Sequence, residues 1–377
     1  MSKLDELIQA LCPNGVEFIK IKDVFLRLKG TPITAEKMKE IENPAEEIKI
    51  FAGGKTVIHA KETDIPKANI IRVPAVLVQS RGVIDVIYYD KPFTFKNEMW
   101  AYTANNPIKV KYLYYVLKNN LQTFRAAASG MGSLPQISLS VTEDFRIPLP
   151  PLPVQQEIVR ILDSFTELTA ELTAELTARR KQYEYYRDEL LTFGEDVPVF
   201  SLSEIATNCD RQRKPVTKGK REAGIYPYYG ASGIVDYVAD YTFEGDYLLI
   251  SEDGANLLAR STPIAFSISG KNWVNNHAHV LKFETPELQK YVEIYLNSLD
   301  LSKYISGGAQ PKLNQDNLNK IPIPLPSSGV KRIVDVLTHF DTICNDLTSG
   351  LPAEIATRQK QYEYYRDKLL NFKELKL

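Results

Sequence analysis

The stretch RQRKPVTKGKR (211–221) places six basic side chains, Arg211, Arg213, Lys214, Lys218, Lys220 and Arg221, within eleven residues. Such density suits contact with phosphates, which supply much of a protein's affinity for DNA. Taken alone, the run reads equally well as a solvated loop. Just downstream, YPYYGASG (226–233) reads as a glycine- and tyrosine-rich loop opening onto a strand, and it puts Tyr228, Tyr229 and Ser232 where a groove could receive them. NWVNNHAH (272–279) offers asparagines, whose amides pair with adenine edges, and two histidines. His277 and His279 would share one face of a strand. With no Cys, His or Asp partners at metal spacing, packing or a polar pair explains them better than a ligand set, so no metal is expected. Gln310 and Lys312 follow a glycine loop, SGGAQPKLNQD (306–316), that aligns with SGMGSLPQISLS (129–140), bringing them level with Ser133 to Gln136. The first segment, residues 1–145, shows no such cluster: its candidates are scattered, at Lys20, Lys22, Arg27, Lys29, Lys55, Arg72, Arg81 and Lys96, of which Lys55 and Arg81 are singled out for DNA contact.

Catalytic signatures are missing. FAGGKT (51–56) imitates the end of a phosphate-binding loop, but Lys49 stands where the first glycine is required. Asn106-Pro107 is not followed by the residues of an amino-methyltransferase motif, and no G-x-G-x-x-G follows a strand. No catalytic residue is therefore assigned. A net charge of −1 means that any nucleic-acid surface must concentrate its positive charge locally. The three cysteines, Cys12, Cys209 and Cys344, are odd in number and far apart, which argues against a disulfide framework and fits a reducing cytoplasm. No apolar run reaches spanning length, and the acidic start lacks the apolar core of a signal peptide, so no membrane is expected.

The elements that must hold these residues come as two copies of one unit. RRKQYEYYRDELLTF (179–193) matches RQKQYEYYRDKLLNF (358–372) at twelve of fifteen positions, and the octapeptide KQYEYYRD is identical in both. Upstream, IVRILDSF (158–165) aligns with IVDVLTHF (333–340), and each is preceded by a proline-punctuated segment, RIPLPPLP (146–153) and KIPIPLP (320–326). A repeat on this scale governs the fold. Ile158, Ile161, Phe165, Leu168, Leu172, Leu176, Tyr183, Tyr186 and Leu190 recur mostly at three and four, the stripe of a long amphipathic helix. Gly194 is placed to cap it in the left-handed conformation. In the second copy SGLP (349–352) should break or kink the helix, because Pro352 has no N–H to donate. Two such rods would pack as an antiparallel pair. ELTAELTAELTARR (167–180) adds a tandem TAEL tetrad whose removal would shorten a helix by about 6 Å. Residues 1–145 and 196–319 each mix short helices with β-rich runs such as AVLVQSRGVIDVIYY (75–89) and DYLLISEDGANLLA (246–259), which show strand-like alternation and turn punctuation.

The order of variable segment, helical repeat, variable segment, helical repeat, with QYEYYRDxLLxF ending both helices, the TAEL tandem, and YPYYGASG followed by GDYLLISEDG, resembles the specificity (S) subunit of type I restriction–modification enzymes over nearly the whole length. The resemblance implies an α+β fold with a pseudo-twofold internal repeat: two β-rich target recognition domains (1–146 and 196–322) separated by two long antiparallel, coiled-coil-like helices in a central (147–195) and a C-terminal (323–377) conserved region. It implies a non-catalytic chain that reads a bipartite, asymmetric site in double-stranded DNA. The helices would dock two methyltransferase (M) subunits, for which Tyr183, Tyr186, Arg187, Tyr362, Tyr365 and Arg366 are the candidates, and the TAEL count would set the spacer. No cofactor is expected on this chain. S-adenosylmethionine would belong to M, and ATP with Mg²⁺ to the restriction (R) subunits that join the complex. The alternatives are a free-standing sequence-specific DNA-binding protein whose rods only dimerise it, and a scaffold that binds no nucleic acid.

Overall fold

The computed structural model describes residues 2–54, 56–66, 69–129, 134–307 and 310–375. The chain forms two compact units, one from Met1–Leu172 with Ile355–Leu377, the other from Thr173–Glu354.

The first unit is built on a four-stranded antiparallel sheet in the order 26–28, 100–103, 75–79, 85–89. Its central strand AVLVQ is buried at every position. The expected alternation is absent because both faces are covered, a situation that favours an unbroken apolar run. The helix Pro107–Asn119 covers one face. Asn106-Pro107, which lacks the rest of a catalytic motif, starts this helix: the Asn106 Oδ1 accepts the Ile108 N–H at 2.8 Å, and Pro107 occupies the first turn, where an N–H has no partner. A three-stranded sheet, 57–60, 48–51 and 93–95, packs on the main sheet, its Phe51, Phe93 and Phe95 sharing one buried cluster with Ala75, Leu77 and Ala101. Strand 18–20 pairs with 146–148.

The second unit repeats this plan. Its main sheet runs 207–208, 278–282, 247–251, 265–268, again with a fully buried central strand. The covering helix Pro286–Ser298 is capped by Thr285 and likewise begins with proline. The companion sheet runs 233–238, 223–230, 271–274, 243–244. Equivalent tyrosines tie each covering helix to the proline-rich strand: the Tyr112 hydroxyl donates to the Pro148 carbonyl at 3.1 Å, and that of Tyr291 to the Pro324 carbonyl at 2.5 Å. Two local expectations differ. YPYYG belongs to the strand Ala223–Gly230, which turns through Ala231 and Ser232 into Gly233–Val238. The end of DYLLISEDGANLLA is a short helix, Asn256–Ala259.

The central helix, Leu152–Leu190, runs 39 residues without interruption, about 58 Å. Its threonines survive mid-helix by donating to carbonyls four residues back, as Thr166 to Leu162 and Thr177 to Thr173. It ends before Gly194, whose φ is not positive; in place of a left-handed cap, Gly194 sits against the Asp196 carboxylate. The second rod is broken as expected, into Val330–Asn345 and Leu351–Leu369. Asp346 takes hydrogen bonds from Thr348 and Ser349, and Gly350 lies where a Cβ would meet the Thr342 carbonyl at 2.4 Å.

Within each unit one aromatic stack joins the two repeats. In the first, Phe165 stacks on Tyr365, with centroids 5.5 Å apart and planes at 23°. In the second, Tyr186 stacks on Phe340 at 5.5 Å and 29°. Phe165 and Phe340 are equivalent in the repeat, as are Tyr186 and Tyr365, so one contact is made twice with the partners exchanged. In the second unit Arg179 and Arg180, upstream of Tyr186, act electrostatically on Cys344, downstream of Phe340; the helices there are antiparallel.

Candidate nucleic-acid interface

The basic run divides into two sets. Arg211, Lys214, Lys218 and Lys220 are exposed. Arg213 and Arg221 are only 15% and 17% exposed at the side chain and are engaged within the fold. The Arg221 guanidinium pairs with Asp236 at 3.0 Å, donates to the Val216 carbonyl and lies 4.3 Å from the Tyr228 ring centroid. Tyr228 itself is buried, its hydroxyl accepting the Val216 N–H at 2.9 Å. These three residues shape the basic segment and do not face solvent. Tyr229 is half-buried near Phe266, and Ser232 stands exposed in the hairpin turn.

Arg213 enters a buried ionic cluster. Its guanidinium reaches Glu252 at 2.5 Å, Asp210 at 3.2 Å and the Ala278 carbonyl at 2.9 Å. His279, fully buried, has Nδ1 2.6 Å from Asp210 and Nε2 2.8 Å from the Leu313 carbonyl. Both ring nitrogens face oxygen atoms. The Lys312 ammonium holds Glu252 from outside at 3.0 Å. His279, Asp210 and Glu252 present ligand-type atoms within 4.8 Å of one another, yet Arg213 and Lys312 already supply the balancing cations. Burial, the largest influence, pushes the Asp210 carboxyl up; the His279 contact, the Val280 N–H and the Arg213 charge outweigh it and hold it below its usual range. Glu252 is likewise held low against burial, by Arg213 and Lys312. The stabilisation from both carboxylates is therefore full above the ordinary carboxylate range, near pH 4, and is lost as pH falls through their depressed values. Asp210→Asn should cost the second unit about 3–5 kcal/mol, because it removes one of the two carboxylates that balance the largely buried Arg213 guanidinium. A lower urea midpoint at pH 7, with a weaker loss of stability on acidification, is the expected result.

Lys312 and Gln310 both lie at the surface, and the Lys312 backbone pairs with Ser306 and Asp253. Arg81 is exposed and its backbone bridges to Gln136. Lys55 lies outside the described residues. In the helices Tyr183 and Tyr362 pack half-buried on their units' cores, each with a cation, Arg187 or Arg366, over the ring. Tyr186 and Tyr365 are 39% and 40% exposed through their stacks. The most open rings of the octapeptides are ones the periodicity passed over, Tyr185 and Tyr364, at 64% and 63%.

Two copies of the type I restriction modification DNA specificity domain match residues 13–179 and 194–357. The chain belongs to this family. The specificity subunit of the EcoR124I/EcoR124II type I restriction enzyme of Escherichia coli is 36% identical over 296 residues, 71% of this chain and 72% of that one. A Haemophilus influenzae chain named as a type I restriction enzyme specificity subunit is 40% identical over 192 residues, half of this chain and 49% of its own length. In fold, the specificity chain resembles the crystal structure of a type I S subunit from M. genitalium, with TM-score 0.66 and 20% identity, covering 94% and 96% of the two chains. No helix among the described residues is long and apolar enough to cross a membrane.

Proposed function

We propose that this specificity chain reads a bipartite, asymmetric site in double-stranded DNA for a type I restriction–modification complex and carries out no chemistry itself. Residues 1–146 and 196–322 serve as the two target recognition domains, each reading one half-site. The helical regions 147–195 and 323–377 hold two M subunits through the duplicated octapeptides. S-adenosylmethionine then belongs to M, ATP with Mg²⁺ to the R subunits, and the action takes place in the cytoplasm. The observation that carries this reading is the exchanged aromatic stack: one docking surface made twice suits two copies of one partner. The exposed cations Arg211, Lys214, Lys218 and Lys220 supply phosphate contacts.

The alternative, a free-standing sequence-specific DNA-binding protein, requires tight binding by the chain alone, which a net charge of −1 does not favour. Titrating a fluorescent duplex against the chain with and without M separates the two. Salt-dependent specific binding only with M supports the proposal, and equal binding without M supports the alternative. In the M complex, replacing Arg211, Lys214, Lys218 or Lys220 by Ala should lower the slope of log K against log salt by about 0.9 for each phosphate no longer neutralised. Unchanged slopes would remove this run from the interface.

A further inference from the structure

Each unit contains the same small backbone frame, and only the side chains it displays differ. In the first unit the Gly82 N–H donates to the Pro135 carbonyl at 2.9 Å, Ile137 N–H to Ser80 at 2.9 Å, and Ser129 and Gln136 exchange both backbone bonds at 2.9 and 3.0 Å. In the second, Gly254 N–H donates to Pro311 at 3.1 Å, Leu313 N–H to Glu252 at 2.8 Å, and Ser306 and Lys312 exchange both bonds at 2.8 and 2.7 Å. The serine hydroxyls repeat the match, Ser129 donating to the Gln136 carbonyl and Ser306 to that of Lys312. Both frame glycines have positive φ, 75° at Gly82 and 102° at Gly254, which disfavours any side chain there. Frame serine, glycine and proline are the same in both copies.

The two positions that face each other across this frame are not. The bridged pair is Arg81 with Gln136 in the first unit and Asp253 with Lys312 in the second. Cross-strand partners display their side chains together. All four lie at the surface or partly exposed. In the second unit both side chains of the pair are held by neighbours: His277 Nδ1 contacts the Asp253 carboxylate at 2.8 Å, and Glu252, anchored by Arg213 in the buried cluster, holds the Lys312 ammonium. The same cluster contains Asp210, the residue directly before exposed Arg211, so the display site adjoins the phosphate-type cations.

We propose that these bridged pairs are base-edge readers in the major groove, one pair for each half-site. The inference rests on the proposed DNA-reading function and names the residues that carry its specificity. A constant frame with exchanged hydrogen-bonding characters is what two modules reading different sequences need. Arg81 presents two donors to guanine O6 and N7, and Gln136 is matched to adenine N6 and N7. Asp253 accepts from cytosine N4, and Lys312 donates to guanine.

The test uses the full chain assembled with its M subunit and S-adenosylmethionine, methylating a duplex library randomised at both half-sites and read by sequencing. Asp253→Asn, nearly isosteric, should cut discrimination at one C·G pair of one half-site by roughly 10- to 100-fold, with adenine gaining there, and leave the other half-site unchanged. Arg81→Gln should do the same at one G·C pair of the other half-site. Changes in both half-sites from one substitution, or parental motifs from both variants in assembled complexes, would overturn the inference while leaving the functional reading intact. A parent complex that methylates no bipartite motif would overturn the functional reading, and this inference with it.

Discussion

Tyr186→Asp combined with Tyr365→Asp should abolish assembly with two M subunits and lower the melting temperature of the chain. Each tyrosine stacks on a phenylalanine of the other repeat, Tyr186 on Phe340 and Tyr365 on Phe165. Because both are about two-fifths exposed, loss of each ring should cost about 1–3 kcal/mol, below the figure for a fully buried aromatic. A carboxylate against the facing phenylalanine adds a desolvation cost. The helix pairing of both units weakens together, so the effect exceeds that of either single change. Tyr185→Ala with Tyr364→Ala provides the contrast. These rings are open to solvent and touch Tyr186 and Tyr365 edge-on, so the fold should persist while docking weakens. Light scattering of the purified complex, with melting curves of the chain alone, separates the two cases. A 2:1 complex from the doubly Asp-substituted chain would show that the octapeptides neither pair the helices nor dock M.

Deleting one TAEL tetrad, Thr173–Leu176, should change the spacer of the recognised site and leave both half-sites as they were. Four residues remove about 6 Å of helix, near the rise of two base pairs, and rotate the helix beyond the cut by about 40°. The sequence across the cut still reads TAEL then TAR, so the leucine step of four and helix propensity are preserved, and Leu152–Leu190 should stay continuous though shorter. No residue of the bridged pairs or the basic run is touched. Altered half-sites would refute the division into reading modules and spacer.

The rods were legible in the sequence because their cause is local. Apolar spacing at three and four, proline at the start and a near-identical repeat depend on neighbours along the chain, and the break at SGLP follows from Pro352 and the close approach at Gly350. What failed to read locally were side chains whose partners come from far away. Arg213 and Arg221 looked like phosphate contacts because a basic run gives no sign of Glu252 or Asp236. Tyr228 looked like a groove residue, but its neighbours place it under Arg221 in a strand. His279 gave no hint of Asp210, 69 residues earlier. The open rings Tyr185 and Tyr364 fall off the apolar stripe, which marks only the residues that pack. The aligned glycine loops did carry a usable signal, since Gln136 and Lys312 occupy equivalent bridges.

Single-molecule methylome sequencing of a host co-expressing this chain with its M subunit tests the central claim most directly. One bipartite motif, asymmetric between its halves, with adenine methylated on both strands, is the expected result. A host genome without such a motif, with M shown to be folded and bound to the chain, would contradict it.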